Sequence, residues 1–292
     1  MKTQILAQIK LDYLSGVEKL KEDEYLTEDG MVFCKKCNTS RIYVLPDGIH
    51  AMFFRCECMQ KQYREEKERQ QREEFLEDYY KRKHIAQVPE RFKNVRFKNS
   101  QITANNLKAY NIARNYLKDS QQMHKDNKGL YIYGPVGVGK THLATCLCNE
   151  LLLQGWSCLF TTITELLSEL HKSYTVQGQV DGHILKRLKR IDFLFIDDFG
   201  KEFIGREDGQ AKYDKMLERQ VITIINARYN SNKPTIITSN YSKNALINEL
   251  KLDASIADKV NEMATRIIRM SGENFRIINQ ETKSAQMRNV GV

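Results

Sequence analysis

Gly134, Pro135, Val136, Gly137, Val138, Gly139, Lys140 and Thr141 spell G-x-x-x-x-G-K-T, a pattern that works only on one kind of scaffold. Glycines let the backbone wrap a phosphate with no Cβ in the way. The loop amides and the positive end of a helix starting at its last residues then face the anion. The pattern therefore needs a strand before it and a helix after it. Both are present: the apolar run Leu130 to Tyr133 leads in, and residues 142–154 read as an apolar helix. Lys140 is placed to reach the β- and γ-phosphates of ATP or ADP, and Thr141 to offer its hydroxyl to Mg²⁺. His142 closes the run of candidate nucleotide contacts.

The same alternation continues downstream. Strand-like runs at 158–160, 193–196 and 235–238 are separated by helical patterns at 164–174 and 213–229, with helical sequence again at 256–270. Strands alternating with helices imply an α/β fold with a parallel sheet covered on both faces. Buried strands of such sheets present ligand residues at their C-terminal ends. Asp197 and Asp198 follow the apolar run Ile191 to Ile196 at such an end. Asp197 is the candidate Mg²⁺ holder and Asp198 the candidate for polarising the attacking water. Asn240 ends the run from Thr235, where a side-chain amide could orient water beside the γ-phosphate.

The front of the chain reads differently. Residues 1–30 carry apolar side chains at a spacing that suits one or two short amphipathic helices. Residues 31–58 hold short strand-like runs between Cys34-x-x-Cys37 and Cys56-x-Cys58. Four thiolates at these spacings can meet one tetrahedral Zn²⁺, with nearby His50 as an alternative to one of them. So few apolar residues lie between them that the metal would have to fold the segment. Cys146, Cys148 and Cys158 fall in apolar patterns and read as core. Residues 59–83 have mixed charge, no Gly and no Pro, and read as a solvated helix. The expected division is 1–58, 59–87 and 88–292.

Bulk properties limit the partners. Of 292 residues, 41% are hydrophobic, enough for a packed core. The net charge of +9 favours a polyanion such as nucleic acid or nucleotide phosphate. No run approaches the roughly 18 to 20 apolar residues of a membrane span. The N-terminus lacks the pattern of a secretory signal, so a cytoplasmic protein with no membrane partner is expected.

Several segments together resemble the DnaC/IstB-type AAA+ ATPases. They are GLYIYGPVGVGKTHLATCLCNELLLQGWSCLFTTITELLSELHKSY, FLFIDDFGKE, IINARYNSNKPTIITSN and TRIIRMSGENFRI, spread over about 88 to 280, with QVPERFKNVRFKN as a lead-in. The front end looks like the zinc-bearing start of DnaI-like and phage-borne loaders. The resemblance implies ATP hydrolysis, assembly into a ring or spiral, and a hexameric DnaB-type replicative helicase as partner, contacted by residues 1–58. It makes Asn240 sensor 1 and Arg266 the arginine finger acting on a neighbouring subunit, with Arg269 as the alternative. It places Arg276 near the nucleotide. It also implies single-stranded DNA binding along Phe160 to Tyr174, with Phe160, Lys172 and Tyr174 as contacts, while Phe160 and Tyr174 read equally well as core aromatics. Asp198 stands where many AAA+ proteins have Glu. Two other functions fit the same residues: an IstB-like transposition helper, and a nucleotide-gated adaptor that never turns ATP over.

Overall fold

The structure is a computed structural model describing residues 2–47, 50–175, 183–203 and 211–277. The chain divides into two compact units, Met1–Glu77 and Asp78–Val292.

The first unit opens with α1 (Lys2–Leu14). Two three-residue antiparallel hairpins follow: β1 (Glu24–Leu26) with β2 (Val32–Cys34), and β3 (Ile42–Val44) with β4 (Ala51–Phe53). The helical expectation for residues 1–30 holds only as far as Leu14. The chain then passes Gly16 in a left-handed conformation and enters a strand. That strand starts at Glu24 because its carboxylate is buried against Arg41, 2.9 Å away, and Arg41 also donates to the Phe54 carbonyl. A buried carboxylate needs such a partner. The apolar interior is small: Val32, Ile42 and Val44, with Cys34 and Cys56 beside them. The charged helix α2 (Glu57–Ile85) starts here and buries no residue. Its Glu66 and Arg69 pair along the helix surface, as i,i+3 neighbours do.

The second unit is an α/β sandwich. After two short 3-10 turns, Glu90–Phe92 and Phe97–Asn99, come α3 (Leu107–Lys118) and α4 (Ser120–Lys125). Then follow β5 (Leu130–Tyr133), α5 (Lys140–Leu153), β6 (Cys158–Thr162), α6 (Ile163–Thr175), α7 (His183–Arg190), β7 (Phe193–Phe199), α8 (Ala211–Tyr229), β8 (Thr235–Ser239), α9 (Lys243–Asn248), α10 (Ala254–Met263) and β9 (Arg266–Arg269). The strands form one five-stranded parallel sheet in the order β6-β7-β8-β5-β9. Successive side chains alternate between two buried layers. Leu130, Ile132, Phe160, Phe193, Phe195, Ile236 and Ile268 join the core containing α3 and α5 residues. Tyr131, Leu159, Leu194, Ile196 and Ile237 join the core containing residues of α6, α7, α8 and α10. Cys146, Cys148 and Cys158 are all buried, as their patterns predict.

Helical sequence was expected to run to Met270. The helix stops at Met263, and Arg266–Arg269 is the edge strand beside the phosphate-loop strand. The apolar spacing of Met263, Ile267 and Met270 suits a helix. Pairing decides against it: the residues Arg266–Arg269 each pair in parallel with a residue of β5, and those backbone hydrogen bonds need an extended segment. Among the described residues, no helix is long and apolar enough to cross a membrane.

Candidate functional site

The C-terminal ends of β5, β8 and β7 lie side by side, and each ends in a predicted site residue. Gly134 leaves β5 with φ +154, and Gly137 sits at the loop crown with φ +88. A Cβ on the first would strike the Met270 carbonyl, and on the second the Asn274 side chain. Both positions therefore require glycine. Phe275 donates its N–H to the Gly137 carbonyl at 3.1 Å, so the segment after β9 is laid along the loop.

Lys140 opens α5 and is 6% exposed. Its ammonium donates to the carbonyls of Gly134 (2.9 Å) and Pro135 (2.8 Å). Burial pushes its pKa down, against the opposing pull of Asp198 and Asp197. A cation held this way gains by receiving an anion. Thr141 donates its hydroxyl to both Asp197 oxygens, at 3.0 and 3.1 Å, and Thr238 donates to the same carboxylate at 2.5 Å. Burial raises the Asp197 carboxyl, while the two hydroxyls draw it back. A hydroxyl and a buried carboxylate in contact are the oxygen ligands that Mg²⁺ takes alongside phosphate and water, so these residues fit the ion.

The two acids do not sit in regular sheet. Ile196 pairs with Ile237, but Phe199 pairs with Ser239, so β7 has one more residue than β8 across this step. Such a bulge re-aims side chains at sheet ends. Asp198 adopts φ +57 there and donates its N–H to the Thr238 hydroxyl at 2.9 Å. Its carboxylate accepts a hydrogen bond from Lys201.

These groups surround a cavity of about 320 Å³, lined in part by Val136, Gly139, Lys140, Thr141, Asp198 and Asn240. Arg276 lines it too. A second hollow of about 310 Å³ shares Gly139, His142 and Phe275 with it and adds Gln101, Asn106 and Tyr110. Polar hydrogen-bonding groups around an aromatic wall beside a phosphate loop suit a nucleobase. His142 lies between the two, its Nδ1 3.0 Å from the Tyr110 hydroxyl, and burial lowers its pKa.

Other expected residues fall elsewhere. Arg266 pairs with Leu130, at the sheet end remote from the loop, while Arg269 pairs with Tyr133 beside it. Both are exposed and neither lines the cavity. Phe160 is 4% exposed and stacks on Phe195 at 5.8 Å, so its ring is core and offers no face to a DNA base. Lys172 is exposed on α6, and the Tyr174 side chain lies outside the described residues. Sequence reading missed Arg91, Phe92, Lys201 and Phe275, which also line the cavity. Only the lead-in QVPERFKNVRFKN, which holds Arg91 and Phe92, and the spacing of Lys201 three residues past Asp198 hinted at them.

In the first unit, the sulfurs of Cys34, Cys37, Cys56 and Cys58 all lie within 4.8 Å of one another. Four sulfurs about 2.3 Å from one zinc would stand about 3.8 Å apart, so the set fits Zn²⁺. The Thr39 hydroxyl holds the Cys37 thiol down to about 6, favouring the thiolate a metal needs. His50 is outside the cluster, exposed and hydrogen-bonded to Asp47 at 2.7 Å.

A parallel sheet with β8 between the phosphate-loop strand and the acid strand, and all the polar groups at one end, defines an ATP-binding P-loop fold of the AAA+ kind. The chain belongs to the IstB-like ATP binding protein family, whose pattern matches residues 64–284. It is similar to the replicative helicase loader DnaC of Escherichia coli K12, 30% identical over 149 residues, covering 50% of this chain and 56% of that protein. It is also similar to the replicative helicase loader DnaI of Bacillus subtilis 168, 28% identical over 171 residues, covering 55% of this chain and 51% of that one. The chain thus spans about half the length of the curated relatives it matches. A crystal structure of DnaI superposes with TM-score 0.50 at 24% identity, over 66% of this chain and 98% of that one, and shares the fold.

Proposed function

We propose that this protein is an ATP-hydrolysing loader that binds a hexameric, DnaB-type replicative helicase and single-stranded DNA and delivers the helicase to DNA. The observation that carries the ATPase reading is the meeting of Lys140, Thr141, Asp198 and Asn240 at one cavity, with Asp197 hydrogen-bonded to Thr141 beside it. The likeness to two replicative helicase loaders supports the partner.

Water attacks the γ-phosphorus, the bond to the β–γ bridging oxygen breaks, and ADP and phosphate leave. Asp198 takes the proton of the water, and Asn240 orients it. Lys140 turns from its two carbonyls to the β- and γ-phosphates. Thr141 and Asp197 would hold Mg²⁺, which would supply charge neutralisation on the phosphates. Arg276 lies in the same chain's cavity, whereas Arg266, at the far end of the sheet, would serve a neighbouring subunit in a ring or spiral. Lys172 would contact a DNA phosphate. The four cysteines would hold zinc, which would fold the front unit, and that unit would contact the helicase.

The test is a pull-down of the zinc-loaded protein with the host's replicative helicase, with ATP and without. A complex lost on deleting residues 1–58 supports the loader. The family name favours one other reading, a transposition helper. Binding to a transposase and not to a helicase would establish that instead. Binding of ATP with no phosphate release in the assembled complex would leave only a nucleotide-gated adaptor.

A further inference from the structure

Among the described residues, four cations, Arg91, Lys140, Lys201 and Arg276, line the nucleotide cavity, and the phosphate-loop pattern accounts for Lys140 alone. Lys201 is the one tied to the acid of the site. Its ammonium donates to Asp198 Oδ2, three residues back, across the turn that follows β7. Its side chain is 54% exposed, so it is free to swing. Its backbone is not free. The 3-10 turn Lys201–Phe203 is held by Phe203, which is 2% exposed, and by the Glu202 carboxylate, which accepts the Gly200 N–H at 3.1 Å. The field of Lys201 reaches both Lys140 and Asp197.

A mobile cation on a fixed base, paired to the carboxylate that must face the attacking water, has two positions to choose between. In the empty site the carboxylate is its best partner. A terminal phosphate carries more charge and three oxygens in the same cavity, and competes for it. We propose that Lys201 is a γ-phosphate-binding and positioning residue: it restrains Asp198 while the cavity lacks a triphosphate, and moves to the terminal phosphate when one binds. Its departure leaves the Asp198 carboxylate free to accept the proton of the water. The site thereby distinguishes ATP from ADP through a side chain outside the phosphate loop. The inference rests on the nucleotide reading above and adds to it a residue role that no loop pattern assigns.

Affinities for the non-hydrolysable triphosphate AMP-PNP and for ADP, both with Mg²⁺, are compared by calorimetry in the full-length wild type, K201M and K201R. Loss of one charge-assisted hydrogen bond predicts AMP-PNP weakened by about 10-fold in K201M. ADP should stay within about twofold, and K201R should restore AMP-PNP binding, since a guanidinium also binds phosphate. Equal losses for both nucleotides, or no loss for either, would overturn the role of Lys201 while leaving the nucleotide site intact. A wild type that binds neither nucleotide would instead sink the nucleotide reading, and this inference with it.

Discussion

At the scale of single residues, two carboxyls near the cavity make opposite predictions. Asp198 touches the reacting water in the proposed mechanism, while Asp197 and Thr141 hold the metal. Asp198→Asn keeps the size and removes the proton acceptor. Phosphate release should fall about 100-fold or more, with MgATP affinity within a few-fold of wild type. Retained turnover would remove Asp198 from the mechanism. Glu202 is different: burial pushes its carboxyl up to about 7 from the usual 4.5, and one of its oxygens is buried with no hydrogen-bond partner among the described residues. Its folded value lies above its unfolded one, so between these values the folded chain holds a proton that the unfolded chain has released. Stability is full below the lower value and is lost as pH rises through the upper one. Glu202→Gln mimics the protonated form. It should exceed wild type in urea stability at about pH 8 by roughly 3 kcal/mol at most, and by under about 1 kcal/mol at about pH 5. A gap that does not change with pH would mean that Glu202 is not ionising in the folded state.

At the scale of elements, the lead-in is pinned to α5 by polar contacts that carry no periodic signal. Asn149 donates to the carbonyls of Phe92 (3.1 Å) and Val95 (2.7 Å), and Arg96 grips Glu150 through two bonds of 2.9 and 2.6 Å. These bonds set Arg91 and Phe92 at the rim of the cavity. Asn149→Ala should therefore weaken ATP by about 3- to 10-fold, the cost of one or two buried hydrogen bonds, with the sheet intact by circular dichroism. Unchanged affinity would show that the lead-in does not contribute to binding. What was legible in the sequence follows from what each signal measures. The strands at Leu130, Cys158, Phe193 and Thr235 were readable because each is buried on both faces and holds a continuous apolar run, from the pair Ile236–Ile237 to the four residues Phe193–Ile196. The phosphate loop and both acids were readable because phosphate chemistry fixes their spacing. β9 was not, because its apolar residues fit a helical period equally well and only its pairing to β5 decides. Arg228 was not either. It ends a helix like any solvated arginine, yet it is fully buried and donates to the carbonyls of Leu188, Ile191, Asp192 and Pro234. Phe160 stood open between core and DNA contact for the converse reason: an aromatic residue in a strand looks the same whether it packs on Phe195 or waits for a base.

At the scale of the whole molecule, the two units draw on different sources of stability. Asp78–Val292 has two extensive apolar layers on either side of its sheet. Met1–Glu77 has hairpins of three-residue strands, and such hairpins are marginal alone. Its buried Arg41–Glu24 pair does not fill that gap, since the desolvation of two charges offsets most of their attraction. The four-cysteine cluster joins the end of β2 and the loop after it to the start of α2, closing the chain around the β3–β4 hairpin and tying β2 to it. Metal binding there would become folding free energy for this unit and would contribute nothing to the sheet of the other. A zinc chelator, or Cys37→Ser with Cys58→Ser, should therefore abolish hydrogen-exchange protection at Val32, Ile42 and Val44. Amides of β5, β7 and β8 should stay protected, and ATP affinity should stay within about twofold. Protection in the front unit that survives complete metal removal would show that its hairpins fold without the ion. Loss of protection in both units together would show that the ATP-binding sheet depends on the front unit for its own folding, which two separate cores argue against.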